Sequence, residues 1–83
     1  LAQEAAPARS GVVLSLDGPV TPANAQYIAR EIAAANAAGR ELVLLEIDTP
    51  GGLVDSMKTI IKAMLASDTP VVTYVAPQGA RSA

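Results

Sequence analysis

The feature that most constrains this chain is a regular alternation of short apolar runs and longer amphipathic ones, each stopped by glycine or proline. Val12-Val13-Leu14-Ser15-Leu16 is a β-rich run closed by the turn cluster Asp17-Gly18-Pro19. Thr21-Pro22 then offers an N-cap followed by proline at the first helical position. The helix it opens continues through alanine-rich sequence to Ala38, with Ala25, Ile28, Ile32 and Ala35 on one stripe. Gly39 stands where a left-handed C-terminal cap belongs. A second apolar strand covers 41–47 and a second amphipathic helix 53–65, with Leu53, Met57, Ile60, Ile61 and Met64 at helical spacing. Asp68 and Pro70 end that helix, and Val71-Val72-Thr73-Tyr74-Val75 forms a third strand. Strand, helix, strand, helix, strand is the pattern of parallel βαβ units, which fixes the fold class as α/β with a parallel sheet.

That topology carries a consequence. With the strands in the order 1-2-3, right-handed crossovers place both helices on one face of the sheet. The second strand nevertheless directs Leu42 and Leu44 to one face and Val43, Leu45 and Ile47 to the other. Parallel strands of this kind are normally covered on both faces. These residues supply no second cover, so the chain reads as the front part of a larger domain, with a partner subunit over the open face as the alternative.

Composition narrows function by exclusion. At 83 residues there is room for one domain. A net charge of −2, with six scattered Lys and Arg, argues against a nucleic-acid surface, which would show a clustered basic face. There is no cysteine and no histidine, which removes Ser-His-Asp and Cys-His pairings together with the commonest zinc ligand. No cofactor and no metal site are expected. The opening ten residues are alanine- and proline-rich without periodicity, and read as a disordered lead-in or as the start of a mature chain after removal of a signal peptide. No apolar run reaches the roughly 20 residues of a membrane-spanning helix.

The chemically suggestive element is Asp48-Thr49-Pro50-Gly51-Gly52, between the second strand and the second helix. It places unblocked backbone N–H groups at a helix N-terminus, where donors lack intrahelical partners and the partial charge is positive. Donors of that kind hold the oxyanion that develops when a carbonyl is attacked. On the local pattern alone, a tight turn without chemistry explains the glycine pair as well. Other residues have plain readings. Lys58 and Lys62 lie one turn apart, off the apolar stripe, as a solvated face. Asp48 and Asp55 are a turn carboxylate and a first-turn helix carboxylate. Met57 and Met64 fill core gaps.

Three strand-end motifs occur in order: Leu-Asp-Gly-Pro-Val-Thr-Pro, Ile-Asp-Thr-Pro-Gly-Gly, and Val-Ala-Pro-Gln-Gly-Ala-Arg. Together they resemble the N-terminal protease domain of the NfeD family, membrane-associated serine proteases with a Clp-protease-like, crotonase-type fold. The resemblance covers 11–83 and implies that these residues are the N-terminal part of such a domain, an incomplete Clp/crotonase-type unit. It implies a serine endopeptidase with a serine–lysine dyad that cleaves hydrophobic segments of membrane-associated proteins. Gly51 and Gly52 match the oxyanion-hole turn, with Gly52 the donor, and Leu53 and Val54 match the backbone along which an extended substrate pairs.

The family's nucleophile is the serine of a Ser-Ala-Gly triplet two residues beyond Gly-Ala-Arg. That places it directly after Ala83, and the catalytic lysine further on. Residues 1–83 would then be inactive alone. A two-residue slip would instead make Ser82 the nucleophile. The resemblance further implies a peptide or membrane-protein substrate, a stomatin-like partner, a homo-oligomer, and a site on the periplasmic or extracytoplasmic face of a bacterial membrane, reached through segments outside these 83 residues. Two other functions fit the same residues: a crotonase-like acyl-CoA enzyme, whose oxyanion hole would stabilise a thioester enolate, and a non-catalytic scaffold beside a stomatin-like membrane protein.

Overall fold

The computed structural model describes residues 11–75 and 82, so the lead-in and the Gly-Ala-Arg run lie outside the described residues. In chain order the elements are β1 (Gly11–Asp17), α1 (Pro22–Ala37), β2 (Leu42–Asp48), α2 (Val54–Ala66) and β3 (Val71–Val75). The three strands form one parallel sheet in the order β1-β2-β3. The register pairs Gly11 with Leu42 through to Asp17 with Asp48, and Val43 with Val71 through to Ile47 with Val75. The C-terminal ends of β1 and β2 are therefore level, and the loops leaving them emerge side by side. In open α/β sheets this end is where ligands bind.

Both helices lie on one face. Leu14, Leu16, Val43 and Leu45 turn toward them and form the core with Ala25, Ile28, Ile32 and Ala35 of α1 and Ile60 of α2. All four stripe residues expected for α1 are buried. The start of α1 is tighter than the Thr-Pro pair alone requires. Thr21 accepts from the Asn24 N–H at 3.3 Å while the Asn24 Oδ1 accepts from the Thr21 N–H at 2.8 Å, a reciprocal capping box. Asn24 Nδ2 also donates to the Pro19 carbonyl at 2.8 Å, tying the helix start to the preceding turn. At the other end Gly39 has φ +70°, the expected left-handed cap.

The second helix departs from its expected stripe. Ile60 is buried and Met57 and Met64 pack at the core margin, but Leu53 is 57% and Ile61 52% exposed. Ser56 takes a buried position one turn before Ile60. The reason is that α2 leans on α1 and leaves space beneath its other flank. That space is an apolar cavity of about 230 Å³ between Met57, Ile60, Ile61 and Met64 above and Leu16, Leu45, Ile47 and Thr73 below.

The far face of the sheet has no covering layer among the described residues. Val13, Val72 and Tyr74 are 61%, 47% and 54% exposed there, as the unsupplied second cover leads one to expect. Ile28, fully buried at the centre of the covered face, sets the scale of the core. Ile28→Ala is expected to cost about 2–5 kcal/mol. Denaturant unfolding of the protein carrying this domain checks this, and a loss below about 1 kcal/mol would show that the core lies elsewhere.

Candidate active site at the strand ends

The site is built from two loops that leave neighbouring strands. After β1 the chain turns through Gly18-Pro19-Val20, and after β2 through Thr49-Pro50-Gly51-Gly52. Because β1 and β2 end level, the loops zip together. The Gly18 N–H donates to the Asp48 carbonyl at 2.9 Å and the Val20 N–H to the Gly51 carbonyl at 2.9 Å. The Leu53 N–H donates back to the Val20 carbonyl at 3.1 Å. Val20 and Gly52 thus form a single parallel bridge beyond the end of the sheet. In such a bridge the residue opposite Val20 turns its own N–H and C=O away from it. The Gly52 N–H accordingly points outward, with no hydrogen-bond partner among the described residues.

The conformations demand glycine at both positions of the pair. Gly51 has φ +120°, backbone that side-chain-bearing residues rarely adopt. Gly52 is needed for closeness: a Cβ there would lie 2.6 Å from the Val20 nitrogen and closer still to the Val20 oxygen. These are rigid backbone atoms with no flexible end to give way.

Thr49, 1% exposed, braces the turn from inside. Its hydroxyl accepts from the Gly51 N–H at 3.1 Å and donates to the Gly51 carbonyl at 3.3 Å. A Thr two residues before a turning glycine is the signature of a side-chain-closed turn, and that signal makes the residue findable from sequence. The bridge to Val20 carries no such signal, since the two loops are far apart in the chain.

Leu53 and Val54 start α2 immediately after the turn. Leu53 is the N-cap without a side-chain cap bond, and its carbonyl accepts from Met57 at 3.0 Å. Both backbone groups of Leu53 are therefore used within the chain, while its side chain and that of Val54 are exposed. The first N–H groups of α2 have no intrahelical acceptor and carry the positive end of the helix dipole beside Gly52. Ser82 is exposed and lines the apolar cavity under α2. Neither Gly51 nor Gly52 lines that cavity. Lys58, Lys62 and Asp55 are exposed on α2, while Asp48 is half-buried at the end of β2. No cluster of three or more metal-ligating side chains occurs among the described residues. No helix among them is long and apolar enough to cross a membrane.

Comparison with known proteins shows the family and fold of this chain. The profile of the NfeD1b N-terminal domain matches residues 12–83. The membrane-bound protease PH1510 of Pyrococcus horikoshii is 35% identical over 71 residues, which is 86% of this chain and 16% of the relative. Among solved structures, the 1510-N membrane-bound stomatin-specific protease, as a serine-to-alanine mutant, superimposes with a TM-score of 0.81 at 33% identity, covering 87% of this chain and 35% of that one. A lysine-to-alanine mutant of 1510-N in complex with a substrate peptide gives 0.80 at 33% identity, covering 87% and 33%. The sequence thus spans about a sixth of the curated relative and a third of each solved chain. With nearly all of its length matched by one profile and its fold shared with the solved proteases, the chain belongs to the NfeD1b N-terminal domain family.

Proposed function

We propose that residues 11–83 are the N-terminal part of a Clp-like, crotonase-type serine protease domain and contribute the oxyanion-holding half of its active site. The observation that carries this reading is the outward Gly52 N–H just before α2, without a hydrogen-bond partner among the described residues, in a chain whose relatives are proteases. In the reaction a serine hydroxyl attacks a peptide carbonyl, and the carbonyl oxygen takes on negative charge. The Gly52 N–H donates to that oxygen, and the N-terminal dipole of α2 adds to its stabilisation. A lysine held neutral takes the hydroxyl proton. Serine and lysine both follow Ala83 in this assignment, with Ser82 as the alternative nucleophile.

An extended substrate adds alongside the turn as a strand. Gly52 offers it an N–H and a C=O that have no partner among the described residues, whereas Leu53 contributes its exposed side chain, since its backbone is already engaged. Val54 supplies a helix-start N–H and a second apolar side chain. Such a surface suits hydrophobic segments of membrane-associated proteins. A stomatin-like protein is the substrate or partner by analogy with 1510-N, whose name describes it as stomatin-specific. The whole protein acts as a membrane-bound homo-oligomer facing the extracytoplasmic side.

Fluorophosphonate labelling of the full-length protein tests this reading. Covalent labelling at one serine after Ala83 is the expected result, together with no peptide hydrolysis by residues 1–83 alone. Turnover by that fragment, lost in Ser82→Ala, would move the nucleophile to Ser82. No labelling with partner binding intact would leave the scaffold reading standing. Acyl-CoA chemistry would use the same amide, but the two solved relatives described above are proteases by name, which favours peptide over thioester.

A further inference from the structure

Gly51 and Gly52 share one peptide plane, so whatever holds the Gly51 carbonyl also aims the Gly52 N–H. In a trans peptide the two groups point in opposite directions. The Gly51 carbonyl accepts from the Val20 N–H at 2.9 Å and from the Thr49 hydroxyl at 3.3 Å. The same hydroxyl accepts from the Gly51 N–H at 3.1 Å and so also grips the preceding peptide plane. A flip of the 51–52 plane would break both bonds to the carbonyl and swing the Gly52 N–H inward. Glycine at both positions makes such a flip sterically easy, since no side chain resists it. Something other than sterics must then hold the plane.

Thr49 is suited to that task by burial as well as by reach. It is 1% exposed, with its hydroxyl committed to Gly51 on both sides and no buried side-chain polar atom left without a partner among the described residues. We infer that the Thr49 hydroxyl is a peptide-plane latch: a positioning residue that keeps the Gly52 N–H facing the reacting carbonyl before substrate arrives. The inference rests on the oxyanion role proposed for Gly52, and adds to it the side chain that keeps the donor preformed.

Two substitutions in the full-length protein separate a latch from a space-filler. Thr49→Val keeps the shape and removes the hydroxyl; Thr49→Ser keeps the hydroxyl and removes a methyl. A latch predicts that Thr49→Val lowers kcat about ten- to hundredfold, the worth of two hydrogen bonds, with KM within about twofold. It predicts that Thr49→Ser stays within about threefold of the parent. It also predicts faster amide exchange across 51–53 in Thr49→Val and not in Thr49→Ser. The reverse pattern, valine harmless and serine damaging, would overturn the latch and make Thr49 a core residue. If the parent protein shows no hydrolysis at all, the protease reading fails on its own account. Amide exchange then decides the latch, and equal exchange in parent and Thr49→Val would sink it.

Discussion

Gly52→Ala is expected to cut peptide turnover by the full-length protein at least about a hundredfold, the scale seen when one oxyanion donor is lost. The cause is backbone geometry. The added methyl group would sit 2.6 Å from the Val20 nitrogen and closer to its carbonyl oxygen, so the two loops must part. Parting them releases the Gly51 carbonyl from the Val20 N–H and the Leu53 N–H from the Val20 carbonyl, the bonds that fix the direction of the Gly52 N–H. In the oxyanion role proposed for Gly52 the loss falls mainly on kcat, because such a donor acts where charge develops in the transition state. Gly11→Ala is the matched control: its Cβ would meet only the Leu42 carbonyl, at an ordinary 3.7 Å. Turnover by Gly52→Ala within about threefold of the parent, in a protein that still folds, would rule out Gly52 as the donor.

Asn36→Ala is expected to destabilise the fold by about 2–3 kcal/mol, although Asn36 is only half-buried and remote from the site. Its side chain closes the far end of the molecule. The Oδ1 accepts from the Asp68 and Thr69 N–H groups at 2.8 and 3.0 Å, and the Nδ2 donates to the Ser67 hydroxyl at 2.8 Å and to the Ile32 carbonyl at 2.9 Å. Ser67 in turn donates to the Thr69 carbonyl at 2.6 Å. One residue of α1 thus gathers the polar groups of the turn that carries α2 into β3. Truncation would strand them in a partly buried place, where an unpaired polar group is costly. Asn36→Asp retains the two acceptor bonds and should lose less. Urea unfolding midpoints read both, and a shift no larger than a surface substitution gives, below about 0.5 kcal/mol, would refute the clamp.

Much of the fold is written locally. The strands and α1 fall where alternating apolar runs meet Asp17-Gly18-Pro19, Thr21-Pro22 and Gly39, because turns and caps are decided by nearby residues. The stripe of α1 is legible because that helix is pressed against the sheet along its length. The stripe of α2 is less so. Periodicity marks Leu53 and Ile61 as apolar without saying what covers them, and α2 leans toward α1 and leaves both open. The glycine pair announces itself, and so does the place of the turn. What no spacing reveals is that Val20 lies against Gly52, or that Asn36 reaches Thr69, 33 residues away. Those contacts depend on strand register and helix docking, which only the assembled chain determines. Thr49 lies between these cases: its position before Pro-Gly is visible in the sequence, its grip on both sides of Gly51 is not.

The bridge between Val20 and Gly52 makes the segment from Gly18 to Thr21 a measured length. Surface connections usually tolerate insertions and deletions well. This one is held at the Asp48 carbonyl by Gly18, at Gly51 and Leu53 by Val20, and at the head of α1 by the mutual bonds of Thr21 and Asn24. Successive residues of an extended segment present their bonding groups to opposite sides. One residue more or less would therefore offer Gly51 the wrong edge of the chain. Length variation among members of this family should then be found in other loops, with the number of residues between β1 and α1 unchanged.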